Sequence, residues 1–429
     1  MSDSQSSNLR LALGPGLLMA GAAVGVSHLV QATRAGAEYG LTLLGLVLLA
    51  CLLKYPFIEF GPRYAAATGE SLIAGYRRLG NWALGLFTLI TLGTMLIIQA
   101  SVTLVTAGLA GLVFGLTVSV SQIAVGVILA CMVVLAIGRF RGLDLVMKFI
   151  MLVLALSTLA AVVLALAAGT PAPVAEPTGR TLLWSGASLV FLLALLGWMP
   201  IPLDVAAWHS LWTLERSRQT GQKPSVWHAV LDCRIGYIGA TVLAAAFLLL
   251  GALIMYPAGT AFPDSAVAFS GALVDLYAAA LGDWSRPLIA VAALTTMFST
   301  TLAVTDAYPR VLRALIEIGQ QSDGSEPATG AAAERMHRSR YISGLLLVTI
   351  GALIIIHYFG HRFTALVDFA TTVSFLAAPL LAWLNLRLMG SAHMPSAHRP
   401  GPMLTVMAWT GLAFLVAFSL IWIGWRLFG

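Results

Sequence analysis

The chain has 429 residues, of which 59% are hydrophobic and only 10% charged, and its mean hydropathy is +0.90. A water-soluble domain of this length needs far more charge to cover its surface, so a soluble enzyme or binding module is excluded. The formal net charge of +6 comes from basic residues scattered among short polar stretches, not gathered in one patch, which argues against nucleic acid as a partner.

Apolar runs of about 20 residues, the length of a bilayer crossing, recur from one end to the other. Eleven are expected, at about 11–33, 41–62, 81–112, 117–138, 144–168, 182–214, 227–256, 285–316, 340–358, 363–388 and 403–427. They predict an all-α polytopic membrane protein forming one transmembrane domain over residues 1–429. The opening "MSDSQSSNLR" is polar and has no signal-peptide cleavage pattern, so the first segment is expected to be retained. The third, sixth, seventh and eighth segments exceed one straight span, and their ends are expected to bend or project. "GTPAPVAEPTG" (169–179), "ERSRQTGQKPS" (215–225), "GQQSDGSEPATG" (319–330) and "GSAHMPSAHRPGP" (390–402) carry the punctuation of loops. Cys51, Cys131 and Cys233 lie in or near apolar runs without metal-ligand spacing and read as small buried hydrophobes.

Lysine and arginine gather in alternate connections: Arg77 and Arg78; Arg139, Arg141 and Lys148; Arg216, Arg218 and Lys223; Arg310, Arg313, Arg335, Arg338 and Arg340; Arg387 and Arg399. The connections between these hold little beyond Arg34, Arg180, Arg286 and Arg362. The positive-inside rule then sets the N-terminus in the cytoplasm and, with an odd number of helices, the C-terminus outside a bacterial-type inner membrane.

Two segments break the pattern. In "AGAAVGVSHLVQATRAGAEYG" (20–40), Gly25 loosens the backbone and Ser27, His28 and Gln31 follow where hydrocarbon would lie. In "LLGWMPIPLDVAAWHSLWTLER" (195–216), Pro200 and Pro202 interrupt the sixth segment, and Asp204 and His209 follow. Proline inside a helix removes a backbone donor and clashes with the preceding turn. Non-helical backbone at membrane depth survives only where protein buries it or where it lines a watery cavity. Each broken segment heads a run of five. Breaks at matching positions of two halves point to inverted repeats, about 11–168 and 182–388, with a binding site at the midplane and an extra helix at about 403–427. For the first segment alone, Gly21 and Gly25 also fit a small-residue packing face, with Ser27 bonded to its own helix.

"GPGLLMAGAAVGVSHLVQATRAGAEYG" (14–40) resembles the first helix of the NRAMP divalent-metal transporters, with a GPG start, a break about a dozen residues later and an AGA-Y-G ending. "PRYAAATGESL" (62–72) is similar to the end of the family's second helix, and "MP" at 199–200 followed by "HS" at 209–210 to its sixth-helix motif. The resemblance implies a LeuT-like fold with a 5+5 inverted repeat and broken helices 1 and 6. It also implies alternating access and a small ion or solute bound between those helices. The departures are specific. The family's Asp-Pro-Gly-Asn metal signature is replaced by Gly25, Val26, Ser27 and His28, and the histidine expected after Met-Pro is Ile201. The stretch "IIQASVTLVTAG" (97–108) lacks the acidic pair that accompanies proton transport in the family. Met199 stands where the family has its soft ligand.

The candidate cargo-binding residues are therefore Gly25, Ser27, His28, Gln31, Met199 and Asp204. Of these, His28, Met199 and Asp204 would suit a borderline or soft divalent cation. His209, Glu59, Asp368 and Thr372 are candidates for a proton path or gate, because ionisable groups in a membrane are functional candidates by default. Several readings stay open. Asp204 either lines the site or caps the restarted half-helix. Glu59 also fits an i,i+4 ion pair with Arg63, and Asp306 a pair with Arg310. Asp368 either gates the outer vestibule or anchors near Arg362. With no carboxylate on helix 1, a dication lacks counter-charge unless Asp204 faces it. A small anion or polar organic solute is then the alternative cargo, drawn by helix N-termini, His28 or Arg34. A transport-dead sensor would need a cytoplasmic domain, and none of the connections is long enough to hold one. There is no phosphate-binding loop and no His-Glu-x-x-His doublet, so neither an ATP-driven pump nor a zinc enzyme is expected. No cofactor is expected; the partners are the cargo, protons as the candidate coupling ion, and the bilayer.

Overall fold

In a computed structural model, residues 14–137, 140–169, 186–320 and 331–428 are described, and among them there is helix and no strand. Lipid offers no partner for backbone N–H and C=O groups, so an apolar chain of this kind satisfies them within helices. The elements are α1 (Pro15–Ala23), α2 (Thr33–Tyr39), α3 (Leu44–Thr68), α4 (Leu72–Leu79), α5 (Asn81–Phe114), α6 (Val120–Ile137), α7 (Phe140–Ala168), α8 (Gly186–Trp198) and α9 (Val205–Thr220). They continue with α10 (Val226–Ala258), α11 (Ala266–Leu281), α12 (Ser285–Gln320), α13 (Ala331–Phe359), α14 (Phe363–Met389) and α15 (Pro402–Phe428). A wide π turn, Ser27–Ala32, joins α1 to α2, and a second, Gly251–Met255, lies inside α10.

Among the described residues nine helices are long and apolar enough to cross a membrane, or ten if α1 and the stretch that follows it, bent by 41°, count as one. The eleven expected from the sequence include the split pair α8 and α9, neither half of which meets that length by itself. Two helices fall where connections were expected. The first is α4, whose Ser71 hydroxyl accepts from the N–H of Ala74. The second is α11, a short apolar helix. The polar stretch 215–225 is also helical as far as Thr220. Most of the 169–179 and 319–330 stretches lies outside the described residues.

Burial sorts the helices into a centre and a rim. The apolar window of α5 is 78% buried, whereas those of α6, α7 and α15 are only 22–28% buried and present leucine, valine and phenylalanine outward. The broken segments occupy the centre. α1 is moored at its start by α10: the Asp232 carboxylate accepts from the N–H of Gly16 at 2.6 Å and of Gly14 at 3.3 Å. A carboxylate there satisfies donors that a helix start leaves unpaired and favours the positive end of its dipole.

Candidate functional site

The first break begins after Ala23. The N–H of Gly25 turns to the carbonyl of Ala23 at 2.8 Å, which leaves the Gly21 carbonyl without its helical donor. The Thr300 hydroxyl of α12 takes that place, donating to the Gly21 carbonyl at 2.9 Å. The approach is close: a Cβ on Gly25 would fall 2.8 Å from both Cγ2 and Oγ1 of Thr300. Glycine at 25 is thus a packing requirement as well as a point of backbone slack.

His28 is fully buried, and its Nε2 lies 2.8 Å from the Ala240 carbonyl of α10. A carbonyl only accepts, so Nε2 carries the proton. Nδ1 lies 2.8 Å from the Ser27 hydroxyl, which also approaches the Ala23 carbonyl at 2.7 Å. The ring is therefore held by α10 and by its own turn, with the Nδ1 lone pair facing the Ser27 hydroxyl. Gln31 faces the other way. Its Nε2 donates to Asp368 Oδ1 at 2.9 Å and to the Thr371 hydroxyl at 3.3 Å, both on α14, while its buried Oε1 has no partner. Arg34 reaches the same Asp368 oxygen at 2.8 Å, pairs with Glu38 at 3.3 Å and lies over the Phe191 ring of α8. Asp368 thus ties α14 to the far side of the first break, in place of the expected anchor at Arg362.

The second break covers residues 199–204, between α8 and α9. Pro200 has no N–H to give the Leu196 carbonyl, and the turn that would serve Gly197 is not helical. The ammonium of Lys54, projecting from α3, fills the gap. It donates to the carbonyls of Leu196 at 3.1 Å, Gly197 at 2.9 Å and Met199 at 2.8 Å, and the residue is 1% exposed. Gly197 also lets α8 approach α14 closely, since a Cβ there would sit 2.2 Å from the Thr371 carbonyl. Thr371 therefore meets both breaks, through its hydroxyl on one side and its carbonyl on the other.

Asp204 does not cap α9. Its carboxylate accepts from the Tyr308 hydroxyl of α12 at 3.0 Å, and Tyr308 packs edge-on against Trp208. Met199 is fully buried. His209 is fully buried with both ring nitrogens unpartnered, and the Thr372 hydroxyl and Gln99 Oε1 also lack partners. Glu59 is held by two arginines. It pairs with Arg63 at 3.1 Å and with Arg234 of α10 at 3.2 Å, and accepts from the Tyr55 hydroxyl. Asp306 pairs with Arg310 at 2.6 Å.

Among the described residues no three His, Cys, Asp or Glu side chains converge in a way that could hold a metal ion. His28 is turned to Ala240 and Ser27, while Met199 and Asp204 lie at opposite ends of the second break. Lys54 is the residue that sequence reasoning did not connect to the site. Its only signal was a lone lysine inside the apolar run of α3.

Residues 16–424 match the family model described as "Natural resistance-associated macrophage protein-like", or Nramp. An uncharacterised protein of Pasteurella multocida (strain Pm70) is 34% identical over 424 residues, covering 96% of this chain and 93% of that one. Among solved structures, a manganese transporter of Eremococcus coleocola, in complex with an aromatic bis-isothiourea substituted compound, superposes with a TM-score of 0.71 at 19% identity. That match covers 98% of this chain and 87% of the other. A histidine-to-alanine mutant of the same transporter gives 0.67 at 19% identity, over 96% and 86%. At such identity these structures speak for the fold.

Proposed function

This chain belongs to the Nramp family of integral membrane proteins, and from that premise we propose that it is a secondary transporter carrying a small ion across the membrane by alternating access. In this reading the two breaks lie in a LeuT-like arrangement of eleven crossings, built as a 5+5 inverted repeat over about 11–168 and 182–388. The N-terminus is cytoplasmic and the membrane a bacterial inner membrane. One observation carries the reading: Thr371 of α14 is met from one side by Gln31 beyond the first break and from the other by Gly197 at the end of α8. Two relaxed segments converging on one point of a third helix form the kind of polar interior that cargo needs in a membrane.

In the proposed orientation, Gln31 and Arg34 lie toward the outside. Their bonds to Asp368 then act as an outer gate whose opening separates α2 from α14. His209 and Thr372, with unpartnered polar atoms, are our candidates for a proton path.

A divalent metal cation is the cargo that family membership favours, and the solved relatives are manganese transporters. Gln31 Oε1, the Met199 thioether and the Asp204 carboxylate are the donors that would serve it. A second reading, a small anion or polar organic solute, is favoured by one specific observation: the group reaching into the second break is the cation of Lys54. At an effective dielectric of about 20, a dication about 4 Å from an ammonium is repelled by about 8 kcal/mol. The test is uptake of Mn²⁺ and Mg²⁺ into proteoliposomes, with and without a pH gradient. Flux that vanishes in Asp204→Ala and Met199→Ala supports the metal. Absence of divalent-ion binding by calorimetry, with solute uptake intact in cells, rejects it.

A further inference from the structure

Lysine 54 is an ammonium in a cage of carbonyl oxygens. All three of its N–H bonds point at backbone carbonyls, those of Leu196, Gly197 and Met199, at 2.8–3.1 Å. Pro200, which has no N–H, leaves the first of these carbonyls unserved by the helix, and the loss of helical geometry after Trp198 frees the others. The cage is nearly sealed from solvent, with Lys54 1% and Met199 0% exposed. Three carbonyl oxygens converging on one point are the coordination chemistry of a hard cation, as much as of a helix cap.

We propose that the end of α8 is a cation-binding seat and that Lys54 is its tethered occupant, so that the chain supplies its own ion at a place a free cation would otherwise fill. The seat takes small oxygen-seeking cations: an alkylammonium that mimics the lysine tip, or a divalent ion once the fixed charge is gone. While Lys54 is seated, a free cation is excluded from it. A cationic cargo can use these carbonyls only after Lys54 withdraws. This inference goes beyond the transport reading and does not depend on what is transported.

The test uses the purified full-length protein in detergent, with n-propylammonium and Mn²⁺ as the probes. In Lys54→Ala the cage is empty and loses its charge. Propylammonium is expected to bind to it and to raise its melting temperature toward that of the parent, and Mn²⁺ is expected to bind about ten-fold or more tighter than to the parent. Lys54→Met, whose apolar stem refills the space without charge, is expected to respond to neither probe, as is the parent to propylammonium. A folded Lys54→Ala protein that gains no affinity for propylammonium overturns the proposal, and so does a parent that responds equally. If Lys54→Ala cannot be recovered alone, it and Lys54→Ser are purified in excess propylammonium; failure of both to fold there also counts against the seat. Tighter Mn²⁺ binding alone would also follow from relieving the charge beside Met199 and Asp204, so the propylammonium response, which reads the cage itself, separates a failure of this inference from a failure of metal transport.

Discussion

At the first break a single loosened carbonyl, that of Gly21, is met by the neutral hydroxyl of Thr300; at the second, three carbonyls are met by the charged tip of Lys54. The first bends by 41° and resumes at once as a π turn, keeping most of its backbone bonded within the segment. The second leaves residues 199–204 outside any helix because two prolines withhold donors. A small loss of helical bonding is repaired by a side chain already packed alongside. A larger one needs a group with several donors, and lysine brings three together with a charge. The two breaks thus differ in electrostatics: a neutral hydroxyl meets the first and an ammonium the second.

The largest effect should come from removing that charge. Lys54→Met leaves three buried carbonyls unpaired at about 1–3 kcal/mol each, so a loss of at least about 3 kcal/mol is expected. Thermal unfolding in detergent should show the biggest drop of the set, with uptake abolished. Next comes Gly25→Val, which drives a side chain into Thr300 and should destabilise by about 1–3 kcal/mol. Adding Thr300→Ala should recover part of that loss, and a double-mutant cycle measures the coupling. Thr300→Val alone strands the Gly21 carbonyl and should cost about 1–2 kcal/mol, less than Lys54→Met. If the two single losses were equal, the contrast between the breaks would disappear. The smallest stability change is expected in Arg34→Gln, because the shorter amide still donates in place of the guanidinium, at about 1–1.5 kcal/mol. Its signature is kinetic. A cysteine introduced as Thr372→Cys should react faster with an impermeant maleimide added from outside when Arg34→Gln is also present. The native Cys51, Cys131 and Cys233 are buried and give little background.

Much of the architecture was legible in the sequence, because both crossing length and the prolines at 200 and 202 act locally. Gly25 followed by Ser27, His28 and Gln31 also marked its break without help from the rest of the chain. The site was less legible because its partners are distant in sequence. His28 is held by Ala240, 212 residues away, and Gln31 by Asp368, 337 residues away. Helical periodicity states which face a side chain occupies, not which neighbour it meets. The sequence therefore did not show where Lys54 reaches: Glu59 and Arg63 of the same helix pair with each other, while Lys54 turns to α8. The helix α11 was missed because it is too short for a crossing and apolar enough to pass for a loop flank.

The central claim is that cargo rests between the two breaks. A cryo-EM map of the protein in nanodiscs, saturated with a transported cargo, tests it most directly. The account predicts added density between residues 25–31 and 199–204, within reach of Thr371. Density bound elsewhere, with both segments running through as uninterrupted helices, would contradict it.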